Sequence, residues 1–223
     1  MRVIACADLH GISEVYNWLT GVVKTEQPDA VLLAGDLLGV PDGHRTVEEA
    51  QAADAHRVAG QLVDMNRPVF YLMGNDDLVD IEPLSDSIRS VHETRIAVGA
   101  FNLVGYQYSL PFMGGTNEKP ERQIAEDLRR LDDLVDQNTV LVTHGPAHGV
   151  LDTVSIGGHA GSIALRDLIE RRQPRAHIHG HIHHCFGRQG RHFNVASGGR
   201  MRAMLIDLES LSHQIVGDGG RSP

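Results

Sequence analysis

Apolar residues along this chain fall into short continuous runs that alternate with helical patterns. Residues 2–7, 30–34 and 68–73 are runs without alternation, as expected for strands that are buried on both faces. Residues 11–27 and 47–66 separate them with helical spacing and composition. The first third therefore predicts strand, helix, strand, helix, strand, which is an α/β pattern. The inward face of the first helix is expected to contain Ile12, Val15, Trp18, Leu19, Val22 and Val23.

The rest of the chain is less regular but continues in the same way. Helices are predicted over residues 118–136 and 162–172, the second with Ser162 as a possible N-cap. Loops are predicted around residues 41–45, 106–117 and 145–161. Since repeats, linkers and low-complexity segments are absent, we interpret residues 1–223 as one domain without a cap domain. Further strands are predicted over residues 94–98, 101–104, 139–143, 176–179, 185–188, 192–195 and 203–207.

Composition narrows the classes of partner. The 223 residues are 41% hydrophobic, enough for a sizeable core, and the net charge of -9 disfavours a broad grip on nucleic acid or acidic membranes. A phosphorylated substrate stays open, because bound cations reverse the local field where carboxylates cluster. The cysteines, Cys6 and Cys185, cannot build a disulfide framework, and the apolar run 3–7 is interrupted by Asp8 too soon for a signal peptide. With no apolar run of membrane-spanning length, we expect a cytoplasmic protein.

Polar residues that bind metals follow the ends of five predicted strands. The chain has 14 histidines, and several of them stand at these ends. In open α/β sheets, ligand sites assemble at the carboxyl ends of the strands, so these side chains are expected to converge. The candidate metal ligands are Asp8, His10, Asp36, Asn75, His144, His181 and His183.

The chemistry of this set suits a pair of cations. The two oxygens of Asp36 can bridge two metals, and the spacing of Asp8 and His10 lets both reach one metal. Imidazole together with carboxylate favours Mn, Fe, Zn, Co or Ni over Mg or Ca. Each piece taken alone also fits a helix cap, a turn or a core histidine. The coincidence of all five blocks favours the metal site.

The order of these blocks carries a resemblance. Asp-x-His, Gly-Asp, Gly-Asn-x-Asp, Thr-His-Gly-Pro and Gly-His-x-His together resemble the calcineurin-like metallophosphoesterase superfamily. The stretches beginning at Thr143 and Gly158 resemble its Icc-related and MPPED-type branch. The resemblance implies a four-layer sandwich of two mixed β-sheets flanked by helices, and two divalent transition metal ions, with Mn favoured. By the same resemblance, Asp8, His10, Asp36 and His183 would hold one metal, and Asp36, Asn75, His144 and His181 the other.

One position departs from the family pattern. Most of the superfamily has a His after the Asn of the third block, credited with protonating the leaving group, whereas this chain has Asp76. Two nearby cations favour the ionised carboxylate, so Asp76 is expected to be a poor general acid. Turnover should then be good for aryl or other activated esters and weak for alkyl esters. His148 and His159 lie in Gly-rich loops, where they could contact substrate phosphate or serve as capping or surface residues.

These observations predict a phosphodiesterase or phosphatase that hydrolyses a small phosphate ester, with a nucleotide as one option, by a metal-bound hydroxide. The alternative is a weakly active or inactive protein that keeps the fold as a binding scaffold. The absence of the acid His favours this alternative, and the complete ligand set speaks against it. A nuclease is disfavoured by the acidic charge. A homo-oligomer stays open.

Overall fold

The computed structural model describes residues 1–40, 43, 46–112, 114–155 and 157–217, so most of the predicted loop at residues 41–45 lies outside the described residues. Within the described residues, the helices are α1 (Ser13–Glu26), α2 (Val47–Asp64), α3 (Glu121–Leu131) and α4 (Ile163–Arg172), with short 3₁₀ turns at Asp132–Leu134 and His183–Cys185. The strands of the same residues are β1 (Arg2–Cys6), β2 (Ala30–Ala34), β3 (Val69–Leu72), β4 (Ile88–Ser90), β5 (Arg95–Val98), β6 (Phe101–Tyr106), β7 (Thr139–Thr143), β8 (Ala176–His179), β9 (Gly187–Gln189), β10 (His192–Asn194), β11 (Arg202–Asp207) and β12 (His213–Gly217).

The strands form two mixed six-stranded sheets. The first has the order β12-β11-β1-β2-β3-β4, in which β1 to β4 run parallel and β11 pairs antiparallel with β1. The second has the order β5-β6-β7-β8-β10-β9, with a parallel centre from β6 to β10 and antiparallel edges. The parallel strands of each sheet therefore end at a common edge.

Three apolar layers hold these elements together. One lies between the sheets and combines Val3, Leu32 and Phe70 of the first sheet with Val140 and Ile178 of the second. Another joins the first sheet to α1 and α2, and the third joins the second sheet to α3 and α4. The predicted four-layer sandwich of helices, sheet, sheet and helices is confirmed.

Local chemistry explains the helix ends. The hydroxyl of Ser162 accepts a hydrogen bond from the backbone N–H of Leu165 at 3.1 Å, which confirms the predicted N-cap of α4. The hydroxyl of Thr46 caps α2 in the same way, by accepting from the N–H of Glu49. Among the described residues, no helix is both long and apolar enough to cross a bilayer.

Several sequence expectations need correction. The third helix was expected from residue 118 but starts after Pro120, because the residue before a proline is disfavoured in helical conformation. The edge strands β4 and β12 were not predicted, since β4 has only three residues and β12 is mostly exposed. Ile12, expected to face inward, is 38% exposed, and Tyr16 fills the core instead with its hydroxyl donating to the carbonyl of Leu37.

Candidate metal centre

The two sheets bring the predicted ligands together at one edge. Ligand atoms of Asp8, His10 and His183 all lie within 4.8 Å of one another, and so do those of Asp36, His144 and His181. The first group combines residues after β1 and β8, and the second combines residues after β2, β7 and β8. Each group could hold a metal ion, and each spans both sheets.

Asp36 connects the two groups. Besides its place beside His144 and His181, it shares a third group of ligand atoms within 4.8 Å with His10 and Asp76. The Asp36 side chain is buried, with one oxygen accepting from the backbone N–H of Asp76 at 2.9 Å and the other 3.4 Å from His144 Nε2. A carboxylate in this position can reach a cation on either side.

The surroundings of His144 fit a cation. Its Nδ1 faces the carbonyl oxygen of Ala34 at 2.9 Å, which can only accept, so Nδ1 carries a proton. Its Nε2 then faces two further oxygens, Asn75 Oδ1 at 2.8 Å and Asp36 Oδ2 at 3.4 Å. The Asn75 amide nitrogen donates to Asp76, which leaves its oxygen pointing at the ring. Three acceptors that converge on one point need a proton or a metal ion between them.

The Asp8 carboxylate plays a similar part in the first group. It is fully buried, with Oδ2 accepting from the backbone N–H of His181 at 3.0 Å and Oδ1 lying 3.1 Å from His183 Nε2. The hydroxyl of Ser197, in the segment between β10 and β11, donates to the backbone carbonyl of Asp8 and fixes this turn. The Asp8 side chain is therefore held in position before any ligand binds.

The backbone at the site is strained. Asp8, His10, Asp36 and His181 all have positive φ, between 48° and 72°, a left-handed conformation that is uncommon for residues other than glycine. The conformation turns these side chains sharply away from the strands that precede them. Glycine is required beside them, since a Cβ on Gly74 would stand 2.1 Å from Asp36 Oδ1.

The pKa shifts show how closely the charges approach. Burial alone would lower the pKa of His144, but the charge of Asp36 and its hydrogen bond raise it to about 10. Burial alone would raise the pKa of Asp36, but His144 holds it well below its ordinary value. Burial, followed by the charge of His144, lowers the pKa of His181 to about 4.

Asp76 lies at the rim of the centre, with its side chain partly exposed. One of its carboxylate oxygens accepts from the Asn75 amide at 2.8 Å, and the residue shares a ligand group with His10 and Asp36. Burial, followed by the charge of Asp36, raises the pKa of Asp76 above its ordinary value. Asp76 thus faces the candidate ligands and is not turned away from them.

Sequence reasoning gave no role to Asp77, which the structure places directly behind the site. This fully buried carboxylate accepts hydrogen bonds from the backbone N–H groups of Leu37, Leu38 and Gly74 at 2.8 to 3.1 Å. It thereby ties the turn after β2 to the turn after β3. Burial, followed by the charge of Asp36, raises the pKa of Asp77 to about 7. The signal for it was present in the Gly-Asn-x-Asp block.

His148 and His159 form a separate cluster. Their ring centroids are 4.7 Å apart, and His159 Nδ1 lies 2.8 Å from the buried carboxylate of Asp152. The same carboxylate accepts from the backbone N–H groups of Gly149 and Gly161, so it closes the loop between β7 and α4. Neither histidine is among the described residues that line the cavities at the candidate ligands. Their contact with substrate stays a prediction.

Comparisons with known proteins identify a family for this chain. A family model described as Calcineurin-like phosphoesterase matches residues 1–185. Metallophosphoesterase domain-containing protein 1 of Homo sapiens is 30% identical over 111 residues, and the mouse protein of that name matches equally. The match covers 48% of this chain but only 33% of those relatives, so the chain spans about a third of their length.

Solved structures share the fold. The protein TT1561 of Thermus thermophilus has a TM-score of 0.73 at 18% identity, covering 97% of this chain and 98% of that one. A dimetal phosphatase from Danio rerio has a TM-score of 0.52 at 13% identity, covering 96% of this chain and 86% of that one.

Proposed function

Because the chain belongs to the calcineurin-like phosphoesterase family, we propose that it hydrolyses a small phosphate ester at a centre of two divalent cations. Asp8, His10, Asp36 and His183 are proposed to hold one cation, and Asp36, Asn75, His144 and His181 the other. Mn is the favoured metal, since imidazole and carboxylate together suit transition metals. We further propose that residues 1–223 form one domain, that the protein works in the cytoplasm, and that nucleic acid is not its substrate.

One observation carries the proposal. Two groups of ligand atoms, each within 4.8 Å, supply six of the seven residues, and Asp36 shares a third such group with His10. Asn75 joins them through its Oδ1, 2.8 Å from His144 Nε2, and all seven follow the carboxyl ends of strands in two different sheets. The buried Asp77 behind them helps to keep the arrangement in place although the backbone of four of these residues is strained. A fold that served only as a scaffold has no need of this strain.

When bound, a pair of divalent cations polarises the phosphoryl oxygen and lowers the pKa of a coordinated water. The side chains of this chain would set the positions of the two cations. Asp36 lies between the two ligand groups and contacts both of them. The Ala34 carbonyl fixes the His144 ring so that Nε2 faces the centre. Asp8, held by the N–H of His181, keeps the first group in register with the second.

Asp76 supports a preference for activated esters. It occupies the place of the acid histidine that the family resemblance leads us to expect, and an ionised carboxylate beside two cations cannot donate a proton. Loss of a general acid weakens catalysis by a typical factor of ~10²–10⁴, and poor leaving groups suffer most. The same substitution favours a second candidate function, a weakly active or inactive binding scaffold.

Hydrolysis of bis-p-nitrophenyl phosphate with added Mn²⁺ tests the proposal. The Asp36→Asn variant should lose at least about 100-fold in kcat/KM, because both cations lose a shared ligand. The matched control Asp64→Asn changes an exposed aspartate on α2 and should keep the activity of the unaltered chain. Equal rates for Asp36→Asn and Asp64→Asn, or no hydrolysis by the unaltered chain, would favour the scaffold.

A further inference from the structure

Two cavities flank the candidate metal centre. A cavity of about 450 Å³ lies on one side, where Phe112, Val154 and Ile182 line it beside the ligands. A second cavity of about 430 Å³ lies on the other side, where Val40, Val47, Leu78 and residues 114–116 line it. His10, Asn75 and Asp76 line both cavities, so the two spaces meet at the candidate ligands. A substrate whose phosphate lies at the centre has room for a group on each side.

Exposed apolar side chains line both cavities. Eight large apolar side chains are exposed among the described residues, and four of them line these two cavities, namely Val40, Val47, Leu78 and Phe112. Phe112 is 50% exposed and packs edge-on against His181, with ring centroids 4.9 Å apart. Exposed apolar residues scattered singly are normal, but their concentration around a site indicates that they contact a ligand.

The described walls contain no lysine or arginine. Apart from the candidate ligands, Asp76 and His184, the described side chains that line the two cavities carry no charged group. A site that recognises a chain of phosphates or an anionic head group would need basic side chains to bind the additional charge. The described walls therefore suit uncharged groups better than further anionic ones.

From these observations we propose that the substrate is a phosphodiester with an apolar or aromatic group on each ester oxygen, one against Phe112 and the other against Val47 and Leu78. This inference rests on the proposed function. In the reaction, a P–O bond to the oxygen of water forms and one ester P–O bond breaks. The released group leaves as its alcohol or phenol, with a proton that the water supplies.

Binding of non-reactive diesters tests the proposal without requiring turnover. Calorimetry of the Mn²⁺-loaded protein should show diphenyl phosphate binding at least about tenfold more tightly than dimethyl phosphate, because only the former reaches both walls. Diphenyl phosphate should also bind more tightly than the monoester phenyl phosphate. A ratio near one between the two diesters, or no detectable binding of diphenyl phosphate, would overturn the proposal.

Variants of the two walls provide the second arm of the test. Phe112→Ala and Leu78→Ala should each reduce the ratio of the two diester affinities by about threefold, while dimethyl phosphate binding stays the same. Val63→Ala removes a similarly exposed apolar side chain on α2, away from both cavities, and should leave the ratio unchanged. Damage to the metal centre would weaken both diesters equally, so the ratio separates wall contacts from metal loss.

The two proposals fail in different ways. Suppose that Asp36→Asn abolishes hydrolysis of bis-p-nitrophenyl phosphate but Phe112→Ala and Leu78→Ala behave like Val63→Ala. The proposed hydrolysis is then supported, and the proposed substrate with an apolar group on each ester oxygen is wrong. If the unaltered chain hydrolyses no ester yet binds diphenyl phosphate with the expected ratio, the hydrolysis is wrong and the cleft binds diesters without cleaving them.

Discussion

Asp76 occupies the position at which the family resemblance leads us to expect a histidine. Its backbone N–H donates to Asp36 and its carboxylate accepts from Asn75, so both ends of the residue contact candidate ligands. A carboxylate there adds negative charge where a histidine would add a proton donor. We therefore expect the leaving-group preference to depend on this one position.

Restoring the histidine should restore acid catalysis. We expect Asp76→His to raise the rate with alkyl phosphodiesters by about tenfold and to change the rate with bis-p-nitrophenyl phosphate much less, because p-nitrophenolate leaves without a proton. The measurement is kcat/KM across a series of leaving groups of increasing pKa. Asp76→Asn is the control, since it removes the carboxylate charge without supplying an acid. A leaving-group dependence that is identical in the unaltered chain and in Asp76→His would contradict this account.

Buried neutral histidines should make the fold sensitive to acid. His177 and His179 are fully buried on β8, and Nε2 of His179 has no hydrogen-bond partner among the described residues. Burial lowers the pKa of His179 to about 3 and that of His177 well below its ordinary value. Both rings stay neutral in the folded chain but take up protons in the unfolded chain below pH 6.5.

The sign of the effect follows from these directions. A lowered pKa in the folded state gives stability that is present above pH 6.5 and is lost as the pH falls towards 3, by about 2 kcal/mol at pH 5 for His179. Urea denaturation with EDTA, at pH 7.5 and pH 5, measures the difference without a contribution from metals. His179→Leu should reduce the loss, whereas His56→Gln, at an exposed position on α2, should not. An equal loss in all three proteins would show that other groups cause the acid sensitivity.

At the scale of elements, side chains rather than regular structure hold the loops of the site. Asp77 joins the turns after β2 and β3, and Asp152 closes the loop between β7 and α4. Ser162 caps α4 and also donates to Glu121 at the start of α3, so it connects two helices. Each of these residues satisfies backbone N–H groups that a strand or helix would otherwise leave unpaired.

The cap of α4 can be tested by removing one hydroxyl. Ser162→Ala should lower the free energy of unfolding by about 1–2 kcal/mol, because the N–H of Leu165 loses its acceptor and Glu121 loses a donor. Chemical denaturation followed by circular dichroism measures the change. Ser13→Ala, at the first residue of α1, is the comparison and should stay within about 0.5 kcal/mol. A loss in Ser162→Ala no larger than this would exclude a capping contribution.

At the scale of the whole molecule, the candidate centre joins the two sheets. Asp8, Asp36 and Asn75 follow strands of the first sheet, while His144 and His181 follow strands of the second. A cation held between them would link sheets that otherwise meet through the apolar layer between them. Metal binding should therefore stabilise the entire fold.

Metal removal tests this connection. At a free Mn²⁺ concentration about 100-fold above the dissociation constant, the folded state should gain about 2.7 kcal/mol for each occupied site, and EDTA should reverse the gain. Thermal unfolding with and without Mn²⁺ measures it, and Asp36→Asn should lose most of the gain while Asp64→Asn keeps it. A shift of equal size in Asp36→Asn would place the stabilising metal elsewhere.

The sequence alone determined the fold class and the residues that gather at the centre. Unalternating apolar runs mark strands buried on both faces, and such strands require a covering layer on each face of the sheet. Here a pair of helices covers one face of each sheet and the other sheet covers the second face. Polar residues directly after these runs must then lie at the carboxyl edge, which is why Asp8, Asp36 and His144 could be chosen from pattern alone. The edge strands β4 and β12 were not predicted from the sequence, because short or exposed strands have little hydrophobic pattern.

Only the tertiary structure decided how these residues face one another. Which sheet each strand joins, and therefore that Asp77 lies behind Asp36 while His148 and His159 pair with Asp152, depends on contacts between residues far apart in the chain. The two apolar cavities are likewise formed by loops with no periodic pattern of their own. Local sequence fixes the direction of a strand and the chemistry at its end, but the shape of a cleft is set by the packing of segments that meet only in the folded chain.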